Sequence, residues 1–255
     1  MANVLMPAVK TATISHLLPR RTPGAGVEET AMYLPFDWTI RGAEPEDAAA
    51  IADVLLNCWP DDTPDIERIS SLIRSGQHLT SCCWAGASCA GFVDAFRTTS
   101  AEGSGRWEVD LLAVYESVRG FGIGTSLINR AVETAPPDTK LARGLVRVGN
   151  VAAGLAFAMA GFRISGMRLA LYTASPLESV TALEAGYTVP VETLTYSGLW
   201  LEGVPSFDLL KAARSEAAAR GVEQVGTLVT AEYEELCQAA GYSAAGVFHW
   251  WLREL

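Results

Sequence analysis

The chain is short of cysteine, histidine and positive charge, and it contains no long apolar run. Its five cysteines, Cys58, Cys82, Cys83, Cys89 and Cys237, are an odd set without a CxxC pair or a histidine-rich neighbourhood. That pattern signals neither a disulfide framework nor a zinc site and suits a reducing cytosol, so the expectation is a cytoplasmic protein with no metal centre. Cys82 and Cys83 are adjacent in a β-prone stretch, where neighbouring side chains point to opposite faces, so they read as packing residues. Lys and Arg number 19 against 29 Asp and Glu, a net charge of −10 that repels phosphate backbones and anionic lipid. Nucleic acid and membrane are therefore not expected as partners, whereas a cationic amine suits the chain. The longest apolar run, Val151 to Phe162, falls short of the roughly 20 residues that a bilayer requires. The first 21 residues carry Lys10, Arg20 and Arg21 and no acid, but no secretory apolar core with a cleavage site, and read as an arm or a strap.

What is present is an ordinary globular composition, 49% apolar and 19% charged over 255 residues, enough for one domain with an appendage. Trp38 to Arg41 reads as a strand. Glu44-Pro45-Glu46-Asp47 opens a helix whose Ile51, Val54, Leu55 and Cys58 share one face, and Ile66, Ile69, Leu72 and Ile73 repeat that spacing up to Gly76. HLTSCCWA and CAGFVDAFR then flank Gly86-Ala87-Ser88 as a hairpin, with a bulge expected at Gly91. Another strand, Trp107 to Val114, leads through glycines into a helix with Leu127, Ile128 and Val132, which Pro136-Pro137 ends. Leu145 to Val148, Ala152 to Met159 and Met167 to Tyr172 continue as strand, helix, strand.

The remainder repeats part of this order. Ala160-Gly161-Phe162 with Ser165-Gly166 returns as Ala240-Gly241-Tyr242 with Ala245-Gly246, a constant offset of 80, and a helix is expected from Ser206 to Arg220. Too few residues precede this second copy for the opening helices and hairpin, so it is a partial one. Glu202-Gly203-Val204-Pro205 stands where its glycine loop would be, and Pro205 has no N–H to offer an anion. Trp200, Trp250, Trp251 and Phe248 are expected to pack on the first copy or to shape a pocket.

The element that points to chemistry is Arg119-Gly120-Phe121-Gly122-Ile123-Gly124, between strand and helix. Glycines allow backbone amides close to a ligand, and the helix start adds unpaired N–H groups and roughly +0.5 of charge, a setting for a diphosphate. The spacing is not GxGxxG in an alternating βαβ pattern, and Thr125-Ser126 follow without a P-loop lysine, so dinucleotide binding and nucleotide hydrolysis are disfavoured.

The strand WEVDLLAV, this loop, and then Asn150, Ala153, Phe157 and Ala160-Gly161-Phe162 resemble the GNAT superfamily of N-acetyltransferases. Arg119, Gly122 and Gly124 stand at the positions of its Q/R-x-x-G-x-G/A element. The second group is similar to its pattern of Asn, Ala three later, an aromatic seven later and Gly-Phe at eleven and twelve. The resemblance covers about 36–172 and implies an α/β (α+β) fold with a mixed central sheet flanked by helices and splayed at its middle, followed by a half-GNAT-like extension over 173–255 and preceded by an arm over 1–35. It implies acetyl-CoA as co-substrate, with the diphosphate on the amides of Arg119, Gly120, Phe121, Gly122, Ile123, Gly124 and Thr125. The pantetheine would be guided by Leu112, Ala113 and Val114 and flanked by Asn150 and Phe157. Asn150 also reads as a helix N-cap.

An alkylamine of pKa near 10 must lose a proton before it attacks, so the resemblance sends attention to acids on the central strand. Glu108, Asp110 and Leu112 are expected on one strand face, with Glu108 or Asp110 as base. The family's usual thiolate-protonating tyrosine is replaced by Phe157, leaving water or a hydroxyl such as that of Tyr115. The expected function is acetyl transfer to a small-molecule or protein amine; a homodimer is compatible with the sequence. The alternative is a catalytically silent acyl-CoA-binding module.

Overall fold

The computed structural model describes residues 37–178 and 187–255; the arm expected over 1–35 lies outside the described residues. In chain order they form β1 (Trp38–Gly42), α1 (Ala48–Cys58), α2 (Ile66–Ser75), β2 (Ser81–Ala85), β3 (Ser88–Thr99), β4 (Gly105–Val114), α3 (Ile123–Glu133), β5 (Leu141–Arg147), α4 (Val151–Met159), β6 (Arg163–Ile164) and β7 (Leu169–Ala174). Then come β8 (Thr188–Glu192), β9 (Ser197–Leu201), α5 (Phe207–Arg220), β10 (Gln224–Val229), α6 (Glu234–Ala239) and β11 (Ser243–Glu254). Among the described residues no helix is long and apolar enough to cross a membrane.

Local chemistry places the helix ends. A single 3-10 turn, Pro45–Asp47, precedes α1, and the Asp47 carboxylate ties it down by accepting from the Glu44 amide and from Arg41. Asp65 accepts the Arg68 amide to start α2, and Gly76 at φ +69° ends it, a conformation that costs glycine nothing. Ser206 caps α5 in the same way through the Leu209 amide.

The strands form one mixed sheet in the order β1-β2-β3-β4-β5-β11-β7-β10-β9-β8, with β6 paired to β11. β4–β5 and β9–β10 are parallel, each joined through a helix, and the other pairs are antiparallel. On one face, Ile51, Val54, Leu55 and Ile69 of α1 and α2 bury against Phe92 and Leu111. On the other, Ile123, Leu127, Ile128 and Phe157 of α3 and α4 pack on Trp107, Val109 and Val146. Helices α5 and α6 cover the far end of the sheet through Leu210, Ala213 and Cys237 against Tyr172, Leu199 and Val225.

The sheet curls until its last strand reaches back to its beginning. Val189 and Val191 of β8 pack on Phe96 of β3, and the Tyr187 hydroxyl donates to the Thr99 carbonyl at 2.6 Å. Arg68 of α2 donates to the Thr193 carbonyl at 3.1 Å beside them. The concave face is thus closed by the chain's C-terminal part.

Three details differ from the sequence reading. β5 begins at Leu141 rather than Leu145, because Arg143 and Gly144 broke the apolar pattern for reasons that the site explains. In the β2–β3 hairpin the unmatched residue is Ala90, between the pairs Cys83↔Gly91 and Trp84↔Cys89. Gly91 is needed instead because an added Cβ would lie 2.6 Å from the Ala113 carbonyl on β4. Finally, a boundary after Tyr172 cuts through β7, and β11 lies between β5 and β7, so the sheet is continuous across both parts.

Candidate active site

β4 and β5 pair over Arg106↔Leu141, Trp107↔Ala142 and Glu108↔Arg143, and then separate. Two features hold them apart. In β4 the residues Asp110 and Leu111 oppose the single residue Asp94 of β3, a bulge that bends the strand. In β5 the backbone at Gly144 makes room for the Phe157 ring, whose nearest atom would be 2.4 Å from an added Cβ. The strands run parallel, so α3 and α4, which follow them, both begin at the open end of the gap. This is the crevice beyond the carboxyl ends of parallel strands, where helix N-termini favour anions.

The bulge changes one expectation directly. Trp107 and Val109 face α3, but beyond the bulge it is Leu112 and Val114 that do so, while Leu111 and Ala113 face α1. Glu108 and Asp110 line the concave face, so Leu112 lies on the opposite face from both, because an extra residue inverts the alternation that the sequence pattern assumed.

Within the glycine loop, Gly120 and Gly122 have φ of +86° and +82°, and nothing lies within 4 Å of a Cβ added to either. They leave the loop's outer side open. Gly122 is the N-cap of α3, and the first amide to bond back is that of Ser126, to the Gly122 carbonyl at 3.0 Å, so the amides of Ile123, Gly124 and Thr125 precede the helical ladder. Gly124 serves packing, since its Cβ position lies 3.6 Å from Ala156 and 3.8 Å from Leu112. Arg119 departs from expectation: its amide donates to the Glu116 carbonyl at 3.3 Å, and its Nε donates to the Val114 carbonyl at 2.9 Å. It fastens the loop to the end of β4 and takes one amide and the Val114 carbonyl out of the binding inventory. Asn150 caps α4, its Oδ1 accepting from the Ala153 amide at 3.1 Å. Phe157 is 2% exposed, edge-on to Phe162 with ring centroids 5.0 Å apart.

A cleft of about 40 Å³ opens on the concave face behind the gap. Its walls include Phe96, Val189, Val191, Tyr196, Trp200 and Trp250, and its polar lining includes Glu108, Asp110, Arg143 and Glu202. The two candidate acids differ sharply. Glu108 accepts from Arg143 Nε at 2.8 and 2.9 Å and from the Thr98 hydroxyl, with Arg106 at 3.7 Å. Glu202, from the end of β9, completes this group by bridging Arg106 at 2.9 Å and Arg143 at 3.0 Å. Burial alone would raise the Glu202 pKa, but the hydrogen bond from Arg106 and the charge of Arg143 outweigh it and leave it lowered. Asp110, by contrast, accepts a hydrogen bond from no described residue. Burial, with the charge of Asp94 added, pushes its pKa up to about 7. It is a carboxylate with free lone pairs and a proton affinity near neutrality, the profile of a general base.

Behind Asp110 a second polar group is fully buried: His78 Nδ1 pairs with Asp94 at 2.7 Å, and Thr80 donates to the other Asp94 oxygen at 2.7 Å. Burial pushes the His78 pKa down, yet the neighbouring Asp94 charge and hydrogen bond leave it raised. Tyr115 packs among the α1-facing residues and borders a separate hollow with Asp53, Ser88 and Val118. The phenol in the cleft is that of Tyr196, whose pKa is raised mainly by burial. Sequence reasoning missed His78, Asp94, Arg143, Tyr196 and Glu202, which have no shared spacing. Trp200 and Trp250 were legible as aromatic excess; Trp251 turns the other way, onto Phe157 at 6.4 Å and against Gly154.

Sheet order, central gap and helix placement define the GNAT fold. Residues 47–162 match the model of the acetyltransferase (GNAT) family. Among solved structures, a GCN5-related N-acetyltransferase from Sphaerobacter thermophilus is 16% identical, with 85% of this chain and 95% of that one covered and a TM-score of 0.53. A glucosamine N-acetyltransferase region of a fungal multi-domain β-N-acetylglucosaminidase is 11% identical, covering 87% of this chain and 38% of that one, TM-score 0.60. A tandem GNAT protein from the clavulanic acid biosynthesis pathway is 14% identical, covering 86% and 98%, TM-score 0.54. No curated protein matches the chain.

Proposed function

We propose that the protein is an acyl-CoA-dependent N-acyltransferase that acetylates a primary amine by direct attack, with Asp110 as general base. The observation that carries this is the gap between β4 and β5: amides preceding the α3 ladder lie at its mouth, and an unpaired carboxylate of pKa about 7 lies beside it on β4. The open loop face fits a diphosphate, with Gly122, Ile123, Gly124 and Thr125 supplying the amides and Leu112 and Val114 an apolar wall. When bound, acetyl-CoA supplies the activated acyl group. The chain's own work is to hold the amine in the cleft, to take its proton at Asp110, and to exclude water with the aromatic wall. Glu108 is saturated by arginines and acts as scaffold. The cytosol is the compartment that the free cysteines suit.

We also read residues 173–255 as a partial second copy. The ends of α4 and α6 support it: Phe162 and Tyr242 amides return to the Phe157 and Cys237 carbonyls at 3.0 and 2.9 Å, with Gly161 at φ +83° and Gly241 at +84°. Each C-terminal carbonyl, Ala160 and Ala240, also accepts from an arginine, Arg253 and Arg214. On this reading β7 and β11 are equivalent strands that have changed places, since β11 pairs with β5 and β7 with β10.

Calorimetry with acetyl-CoA followed by thiol release against a set of amines tests the activity. Binding without turnover on any amine supports the silent module, which the absence of a hydroxyl at Phe157 favours; absence of binding removes both readings.

A further inference from the structure

We infer that the acceptor is a hydrophobic monoamine, an ammonium group on a compact aromatic or branched apolar body without a carboxylate, and that the C-terminal part of the chain selects it. This rests on the proposed acyl transfer and names the substrate class of that site. The cleft is built by both parts of the chain: Asp110 and Phe96 come from the central strands, whereas Val189, Val191, Tyr196, Trp200 and Trp250 come from β8, β9, β11 and the turn between β8 and β9. The Trp200 and Trp250 rings sit 6.4 Å apart and tilted, and with Phe96 they offer π-faces and apolar surface but few polar groups.

The charges decide what such a wall admits. Glu108, Asp110 and Glu202 face Arg143, with Arg106 adjoining, so among the described residues an acceptor carboxylate would meet net negative charge and no free guanidinium. Arg143 is further committed by lying 4.2 Å over the Trp250 ring. A polyamine fails for the opposite reason. One ammonium can use Asp110, but a second would be buried among Phe96, Val189 and Val191, because Glu108 and Glu202 are already paired to arginines. What remains is one cation at the floor and apolar bulk along the walls.

The test uses the full chain with 2-phenylethylamine, phenylalanine, putrescine and an N-acetylated lysine-containing peptide, each followed by calorimetry and by thiol release from acetyl-CoA. The expected result is a kcat/KM for 2-phenylethylamine at least about 100-fold above those for phenylalanine and putrescine, since the losers bury an unmatched charge. Trp200→Ala should raise its KM by about tenfold or more, with acetyl-CoA affinity unchanged. Equal or better use of phenylalanine, putrescine or the peptide overturns the inference and leaves acyl transfer standing, as does an unchanged KM in Trp200→Ala. Failure of acetyl-CoA to bind while 2-phenylethylamine still binds by calorimetry removes the acyltransferase reading and upholds the pocket. If Trp200→Ala does not fold, the wild-type comparison decides.

Discussion

The Phe157 ring fills the space that a side chain at Gly144 would need: a Cβ there would lie 2.4 and 2.5 Å from ring carbons and 3.0 Å from the Val109 carbonyl. The aromatic of α4 therefore lies against the helix-facing side of β5 at Gly144, next to where β4 and β5 stop pairing. Gly144→Ala should destabilise the protein by about 1–3 kcal/mol, the usual range for overpacking. Urea unfolding of Gly144→Ala, Phe157→Val and the double variant checks it: the double variant should be more stable than the sum of the single losses requires.

Gly122 has φ +82° and open space where a side chain would go. Gly122→Glu places an anion at the proposed diphosphate site and should abolish acetyl-CoA binding in calorimetry. Gly76→Ala is the control, because Gly76 has a similar φ of +69° at the distant end of α2. Both variants carry backbone strain of about 1–2 kcal/mol, and only the first should lose the ligand.

Asp110 titrates about 7 in the folded chain against 3.8 in an unfolded one. The native state therefore binds the extra proton between these values, and its contribution to stability is greatest below pH 3.8 and falls as pH rises to about 7. Asp110→Asn should raise the melting temperature at pH 8, by an amount that corresponds to a few kcal/mol and shrinks towards pH 4. Its acetyl transfer should fall by about 10²-fold or more, and the wild-type limb near pH 7 should vanish from the rate profile.

Glu202 joins the two parts of the chain through Arg106 and Arg143, and its pKa lies below the 4.5 of a free glutamate. Glu202→Gln should cost about 1–3 kcal/mol in chemical denaturation, because two guanidiniums lose part of their compensation. The deficit against wild type should persist down to pH about 4.5 and disappear below it, as the native glutamate too becomes protonated.

The loop, the helix ends and most strands could be read directly, since each depends on local rules: φ at Gly76 and Gly122, caps at Asp65 and Asn150, periodic apolar residues in α1 and α3. β5 was read short because Arg143 and Gly144 look unlike strand residues. One is there to hold Glu108 and Glu202, the other to admit Phe157.

By itself the sequence determined the elements, the loop geometry and the two motifs of the GNAT pattern, because these are set by residues within one or two turns of each other. Only the tertiary structure decided which of the two acids on β4 is paired. Glu108 and Asp110 sit two residues apart on β4, yet Glu108 is paired by an arginine on β5 and shares that arginine with Glu202 just after β9, while Asp110, at the bulge opposite Asp94, accepts a hydrogen bond from no described residue. A proton affinity depends on burial and on charges brought close through space, and those partners lie dozens of residues away along the chain.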